Sequence, residues 1–121
     1  MYKNAVLLNV GAGATTLVDE LLKSGFQNII ANDISPVALE KLKQRLGTEA
    51  GKVRWIVDDL IHPVKLNAIG QVDLWHDRAV LHFFTEKKEQ DAYFSLLKKL
   101  VKPGGFVLLA TFNLRGADKC S

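Results

Sequence analysis

Gly11, Gly13 and Asp33 are the residues whose types and spacing carry most chemistry in this chain. The glycines lie in Val6-Leu7-Leu8-Asn9-Val10-Gly11-Ala12-Gly13-Ala14-Thr15-Thr16, and Asp33 closes the next apolar run. A glycine loop between a buried strand and a helix lets backbone approach a ligand closely. An acidic residue ending the second strand can accept hydrogen bonds from ribose hydroxyls. The pair reads as a nucleoside site, a pattern that two cofactor classes share. Dinucleotide binding calls for a third glycine to pack helix on strand, and Thr16 stands in that place. A cofactor without phosphates needs only a close, flat backbone path and a few donors for a carboxylate, which suits this loop better.

Further candidates follow at later strand ends. Asp58-Asp59 is a pair of carboxylates, and His76-Asp77-Arg78 joins a titratable ring to both signs of charge. Histidine serves as a general base because small shifts carry it through neutral pH. His76 is therefore the candidate base. His82 is a weaker one, since Leu81, Phe83 and Phe84 around it imply partial burial. Asp77-Arg78 also reads as a local ion pair holding a turn, and His62 beside Pro63 as a loop residue. The three histidines occupy separate segments without a partner cysteine or a His-x-x-x-His repeat, so no metal site is expected.

The elements that must position these groups alternate in type. Apolar runs predict strands over Val6–Val10, Asn28–Asn32, Val53–Val57, Val72 to Trp75 or His76, and Phe106–Phe112. Helices are predicted over Thr16–Ser24, over the segment after Ser35 and Pro36 up to Gly47, and over about Lys87–Val101. Pro63 makes a long helix between Asp59 and Gly70 untenable, leaving an irregular crossover or one short turn. Lys102-Pro103-Gly104-Gly105 is expected to end the last helix before strand five. Such alternation implies an α/β fold: a doubly wound, mostly parallel, Rossmann-like sheet of about five strands in order 3-2-1-4-5. Ligand then lies over the carboxyl ends of the strands, where the Gly11 loop, Asp33, Asp58-Asp59 and His76-Asp77 converge.

Size and composition bound the rest. The chain has 121 residues, 48% hydrophobic and 24% charged, which fits a single globular domain over residues 1–121. A net charge of +3, with lysines as pairs on solvated helix faces, is not a nucleic-acid footprint. Cys120 is the only cysteine, so no intrachain disulfide can form, and a cytoplasmic location is the expectation. No apolar stretch approaches the roughly 18 to 20 residues of a membrane span.

Five segments in order, Asn9-Val10-Gly11-Ala12-Gly13, Asp33-Ile34-Ser35, Asp58-Asp59-Leu60, Val72-Asp73-Leu74-Trp75-His76-Asp77-Arg78 and Lys102-Pro103-Gly104-Gly105, resemble the class I S-adenosylmethionine-dependent methyltransferases. The resemblance covers nearly the whole chain. It implies S-adenosylmethionine as cofactor, with Gly11, Ala12 and Gly13 under its methionyl part and Asp33 on the ribose hydroxyls. It further implies Ile34 against the adenine, Asp59 accepting from the adenine amino group, and the Leu60 N–H on a ring nitrogen. His76 would border the sulfonium and the reacting methyl.

The chain also departs from that family. Where an acidic residue is usual at the end of strand one, Asn9 keeps an acceptor oxygen without the charge that favours the cofactor's ammonium. The usual last two strands lie beyond the expected five, so the chain reads as a short or truncated core, with self-association through an exposed strand five as the consequence. A small-molecule acceptor is expected, with a protein acceptor as the alternative. Two other functions stay open: a non-catalytic cofactor- or partner-binding module, and a nicotinamide-dependent oxidoreductase.

Overall fold

A computed structural model describes residues 2–78 and 80–109. Five strands, β1 (Val6–Val10), β2 (Asn28–Asp33), β3 (Val53–Val57), β4 (Val72–Asp77) and β5 (Val101–Leu109), form one sheet in the order β3-β2-β1-β4-β5. Every pairing is parallel, with Asn9 opposite Ala31 on one side and His76 on the other. Three helices connect them: α1 (Leu17–Lys23), α2 (Pro36–Leu46) and α3 (Lys87–Leu100). The expected fold class and strand order are the observed ones.

Both faces of the central strands are covered, which is why β1 and β2 read as unbroken apolar runs. One face sets Leu8, Val10, Ile30 and Trp75 against Tyr93, Leu96 and Leu100 of α3. The other packs Ile29 and Ala31 against Val18 of α1 and Leu39 and Leu42 of α2, with Leu7 and Leu74 beside them. Helix boundaries follow local chemistry. Ser35 Oγ accepts from the Ala38 N–H at 3.1 Å, Pro36 takes the first helical position, and Gly47 follows the last turn of α2. Glu86 and Glu89 form a reciprocal capping box at the start of α3. The β3–β4 crossover holds only a short 3₁₀ turn over Leu66–Ala68, as Pro63 dictates.

Strand five differs from its expected bounds. Val72 pairs with Val101 and Leu74 with Phe106, so Lys102-Pro103-Gly104-Gly105 bulges within β5 instead of preceding it. Lys102 forms an ion pair with Asp73 there, which anchors the bulge to β4. Positions 110–112 of the expected strand, and Cys120, lie outside the described residues. Phe106, Val107, Leu108 and Leu109 are exposed.

A buried polar chain fixes the end of β4. The Trp75 Nε1–H donates to Tyr93 Oη at 3.0 Å, and the Tyr93 hydroxyl donates to Asp77 Oδ2 at 2.5 Å. Asp77 also accepts from the Val80 and Leu81 N–H groups at 2.6 and 2.9 Å. Burial first, then the bond to Asp77, pushes the Tyr93 hydroxyl well above its usual range, so it stays a donor. Removing that hydroxyl strands the indole N–H and one carboxylate bond in the core. Tyr93→Phe is expected to lower stability by about 1–3 kcal/mol in urea unfolding; a loss under about 0.5 kcal/mol would show the chain to be energetically idle.

Candidate functional site

The loop after β1 is shaped by two close approaches. Gly11 has φ of 69°, and a Cβ placed on it would lie 2.3 Å from Val80 Cγ2. A Cβ on Gly13 would lie 2.5 Å from that of Ala38 in α2. Neither position has room for a side chain, and the backbone is left bare toward the cleft.

Asp33 ties this loop to the next. Its Oδ2 accepts from the Gly13 N–H at 3.1 Å and its Oδ1 from the Ser35 N–H at 3.0 Å. Each carboxylate oxygen keeps acceptor capacity for a ligand hydroxyl. Beneath the loop, Asn9 Nδ2 and the Leu17 N–H both reach Thr15 Oγ1, each at 3.3 Å. Asn9 is buried, and its Oδ1 has no partner among the described residues. Such an acceptor carries a desolvation cost until something donates to it.

Over these groups lies an open cleft of about 710 Å³, lined by Gly11, Gly13, Thr15, Thr16, Asp33, Ile34, Arg45, Arg78, Val80 and Phe83. A narrower recess of about 230 Å³ adjoins it, reaching Asn32, Asp58, Asp59, Leu60 and Phe84. Asp33, Ile34, Val80 and Phe83 wall both, and Ile34 and Phe83 are 64% and 74% exposed, apolar plates at the opening. The volumes suit a nucleoside carrying an extended tail.

The two carboxylates after β3 do different work. Asp58 accepts from the N–H groups of Asp59, Val64 and Leu66 at 2.8–3.0 Å, which folds the loop that walls the recess. It organises that loop. Asp59 Oδ1 accepts from the Ile61 N–H at 2.9 Å, and Leu60 beside it is buried.

His76 lies within β4, in register with Asn9 and with Leu108 of β5, and is not among the residues lining the cleft. Its Nδ1 has no partner among the described residues. Burial lowers its pKa below the ordinary 6.5, Arg78 adds to the effect, and Asp77 opposes it. The ring is therefore neutral at neutral pH. The His82 side chain lies outside the described residues. No group of three or more histidine, cysteine or acidic residues among the described ones could hold a metal ion, and no described helix is long and apolar enough to cross a membrane.

Among the lining residues that sequence reasoning missed are Val80, Phe83 and Arg45. Val80 and Phe83 follow a local turn held by Asp77, and the approach of Val80 to Gly11 is a tertiary contact without a sequence signal. Arg45 comes from the far end of α2. Its guanidinium is bound to Asp19 at 2.6 and 3.1 Å and to the Thr15 carbonyl at 3.3 Å. That pairing holds the Asp19 carboxyl below, and the arginine above, their ordinary values.

No curated protein matches the chain in sequence. Among solved structures it is similar to the N-methyltransferase NodS of Bradyrhizobium japonicum, solved with S-adenosyl-L-homocysteine, with a TM-score of 0.74 and 18% identity, covering 88% of this chain and 52% of that one. It is similar to a TehB-like SAM-dependent methyltransferase of Corynebacterium glutamicum, with a TM-score of 0.73 and 19% identity, covering 90% and 55%. The glycopeptide N-methyltransferase MtfA, solved with S-adenosyl-L-methionine, has a TM-score of 0.72 and 15% identity, covering 88% and 46%. This chain spans about half the length of these relatives, and at such identities the likeness concerns the fold. The glycine loop, packed too closely for side chains at Gly11 and Gly13, the Asp33 carboxylate and the recess at Asp59 fit S-adenosylmethionine. A family model for a methyltransferase domain matches residues 8–107, from the middle of β1 into β5, and the chain therefore belongs to that methyltransferase family.

Proposed function

We propose that the chain binds S-adenosylmethionine in this cleft and transfers its methyl group to a small-molecule acceptor. The observation that carries the reading is the bridge from Gly13 through Asp33 to Ser35, set between a bare glycine path and a nucleobase-sized recess. In it, Asp33 holds both ribose hydroxyls, and Ile34 packs on the base. Asp59 accepts from the adenine amino group, and the Leu60 N–H meets a ring nitrogen. Gly11, Ala12 and Gly13 pass beneath the methionyl chain, with Asn9 Oδ1 near its ammonium end.

When bound, the cofactor supplies a methyl on a sulfonium, which is already a good leaving group. The protein's task is then to align a nucleophile and exclude water. Phe83 and Val80 are placed to dry the opening. A strong base is not required of the chain. His76, neutral at pH 7, is proposed as the group that could take a proton, acting from β4 beside Asn9. Because His76 is not among the cleft-lining residues, a second reading has support: a core that binds cofactor without turnover. The nicotinamide reading rests on the glycine loop and Asp33 alone, against Thr16 and the family match.

Two measurements bear on this. In calorimetric titration with S-adenosylhomocysteine, the parent chain is expected to bind and Asp33→Ala to lose about 10- to 100-fold, the effect of two hydrogen bonds to a charged acceptor. No binding by the parent, or equal binding by the variant, would defeat the assignment. The second concerns pH. His76 has a lowered pKa in the folded chain, so the unfolded chain takes up its proton first as pH falls. Stability from this group is complete above its unfolded value of 6.5 and declines as pH drops below it toward the folded value. Relative to His76→Gln, the parent should lose melting temperature between pH 7 and pH 5. Parallel curves would show that the ring is not buried as described.

A further inference from the structure

Charge is distributed unevenly along the cleft. Asp58 and Asp59 lie at the recess end and Asp33 walls both parts, whereas the basic residues lining the cleft, Arg45 and Arg78, belong to the wider end alone. Arg45 is already occupied by Asp19 and the Thr15 carbonyl. Arg78, immediately after β4, has no hydrogen bond or ion pair among the described residues, although the carboxylate of Asp77 precedes it. Asp77 itself is buried and turned to the backbone N–H groups of Val80 and Leu81 and to the Tyr93 hydroxyl. Thus the polar chain that fixes the end of β4 keeps a guanidinium on the cleft wall.

We infer that Arg78 is the counter-ion of a carboxylate bound in the cleft, carried either by the cofactor's amino-acid end or by the methyl acceptor. This rests on the cofactor reading above. The carboxylates of Asp58 and Asp59 at the recess end disfavour an anion there, and a planar five-donor guanidinium at the wider end binds one in fork geometry. A ligand with a neutral nucleoside head and a tail that ends in a carboxylate is therefore oriented in one sense along the cleft. Arg78 holds no hydrogen bond or ion pair among the described residues, so its replacement removes none, and equal melting temperatures of parent and variants check that the fold is kept.

The test compares S-adenosylhomocysteine, which has the carboxylate, with methylthioadenosine, which lacks the whole amino-acid end, on parent, Arg78→Gln and Arg78→Lys chains of equal melting temperature. If the anion is the cofactor's, Arg78→Gln weakens S-adenosylhomocysteine about tenfold, leaves methylthioadenosine unchanged, and Arg78→Lys recovers part of the loss. If it is the acceptor's, both nucleosides bind all three chains alike, while Arg78→Gln selectively loses methyl transfer to the carboxylate-bearing members of an acceptor panel. Equal nucleoside binding together with an unchanged acceptor profile would overturn the inference. Failure of the parent to bind either nucleoside would overturn the cofactor reading and the inference with it.

Discussion

Three carboxylates at the carboxyl ends of β2, β3 and β4, each bonded to backbone N–H groups of the rim loops, are the constraint on which this site depends. Asp33 at the end of β2 holds Gly13 and Ser35; Asp58 after β3 holds Val64 and Leu66; Asp77 at the end of β4 holds Val80 and Leu81. Parallel strands end on one rim, so loops that would otherwise be independent are tied at adjacent points. The N–H groups offset the cost of holding the charges away from bulk water. What results is a cleft whose walls are set by backbone, before any ligand contributes.

The same constraint explains why glycine is required where it is. Once Asp77 fixes the turn, Val80 is laid against Gly11, and once Asp33 and Ser35 fix the start of α2, Ala38 is laid against Gly13. Side chains at those two positions would push apart the segments that wall the cleft. The loop is thus bare for two reasons at once: the protein's own packing, and the close approach a ligand needs.

Much of this was legible in the sequence because it depends on short-range chemistry. Strand and helix order follow from apolar runs and from Ser35-Pro36 and Gly47, and the rim position of Asp33 and Asp59 follows from strand ends. The start of β5 was not legible: the proline and glycines that mark a turn instead bulge within a strand, held by the ion pair of Lys102 with Asp73 of the neighbouring strand. Nor was the division of labour between Asp58 and Asp59, since it depends on which carboxylate the following loop wraps around. Arg45 was invisible for the same kind of reason, because its place on the cleft depends on Asp19 of another helix.

We propose that strand-end carboxylates and a bare glycine loop together prepare one nucleoside site. In a crystal structure of the chain with S-adenosylhomocysteine, the adenine is then expected in the recess between Ile34, Asp59 and Leu60, the ribose hydroxyls on Asp33, and the amino-acid end over Gly11 and Gly13. A ligand bound elsewhere, or adenine and ribose placed away from Asp59 and Asp33, would overturn the proposal.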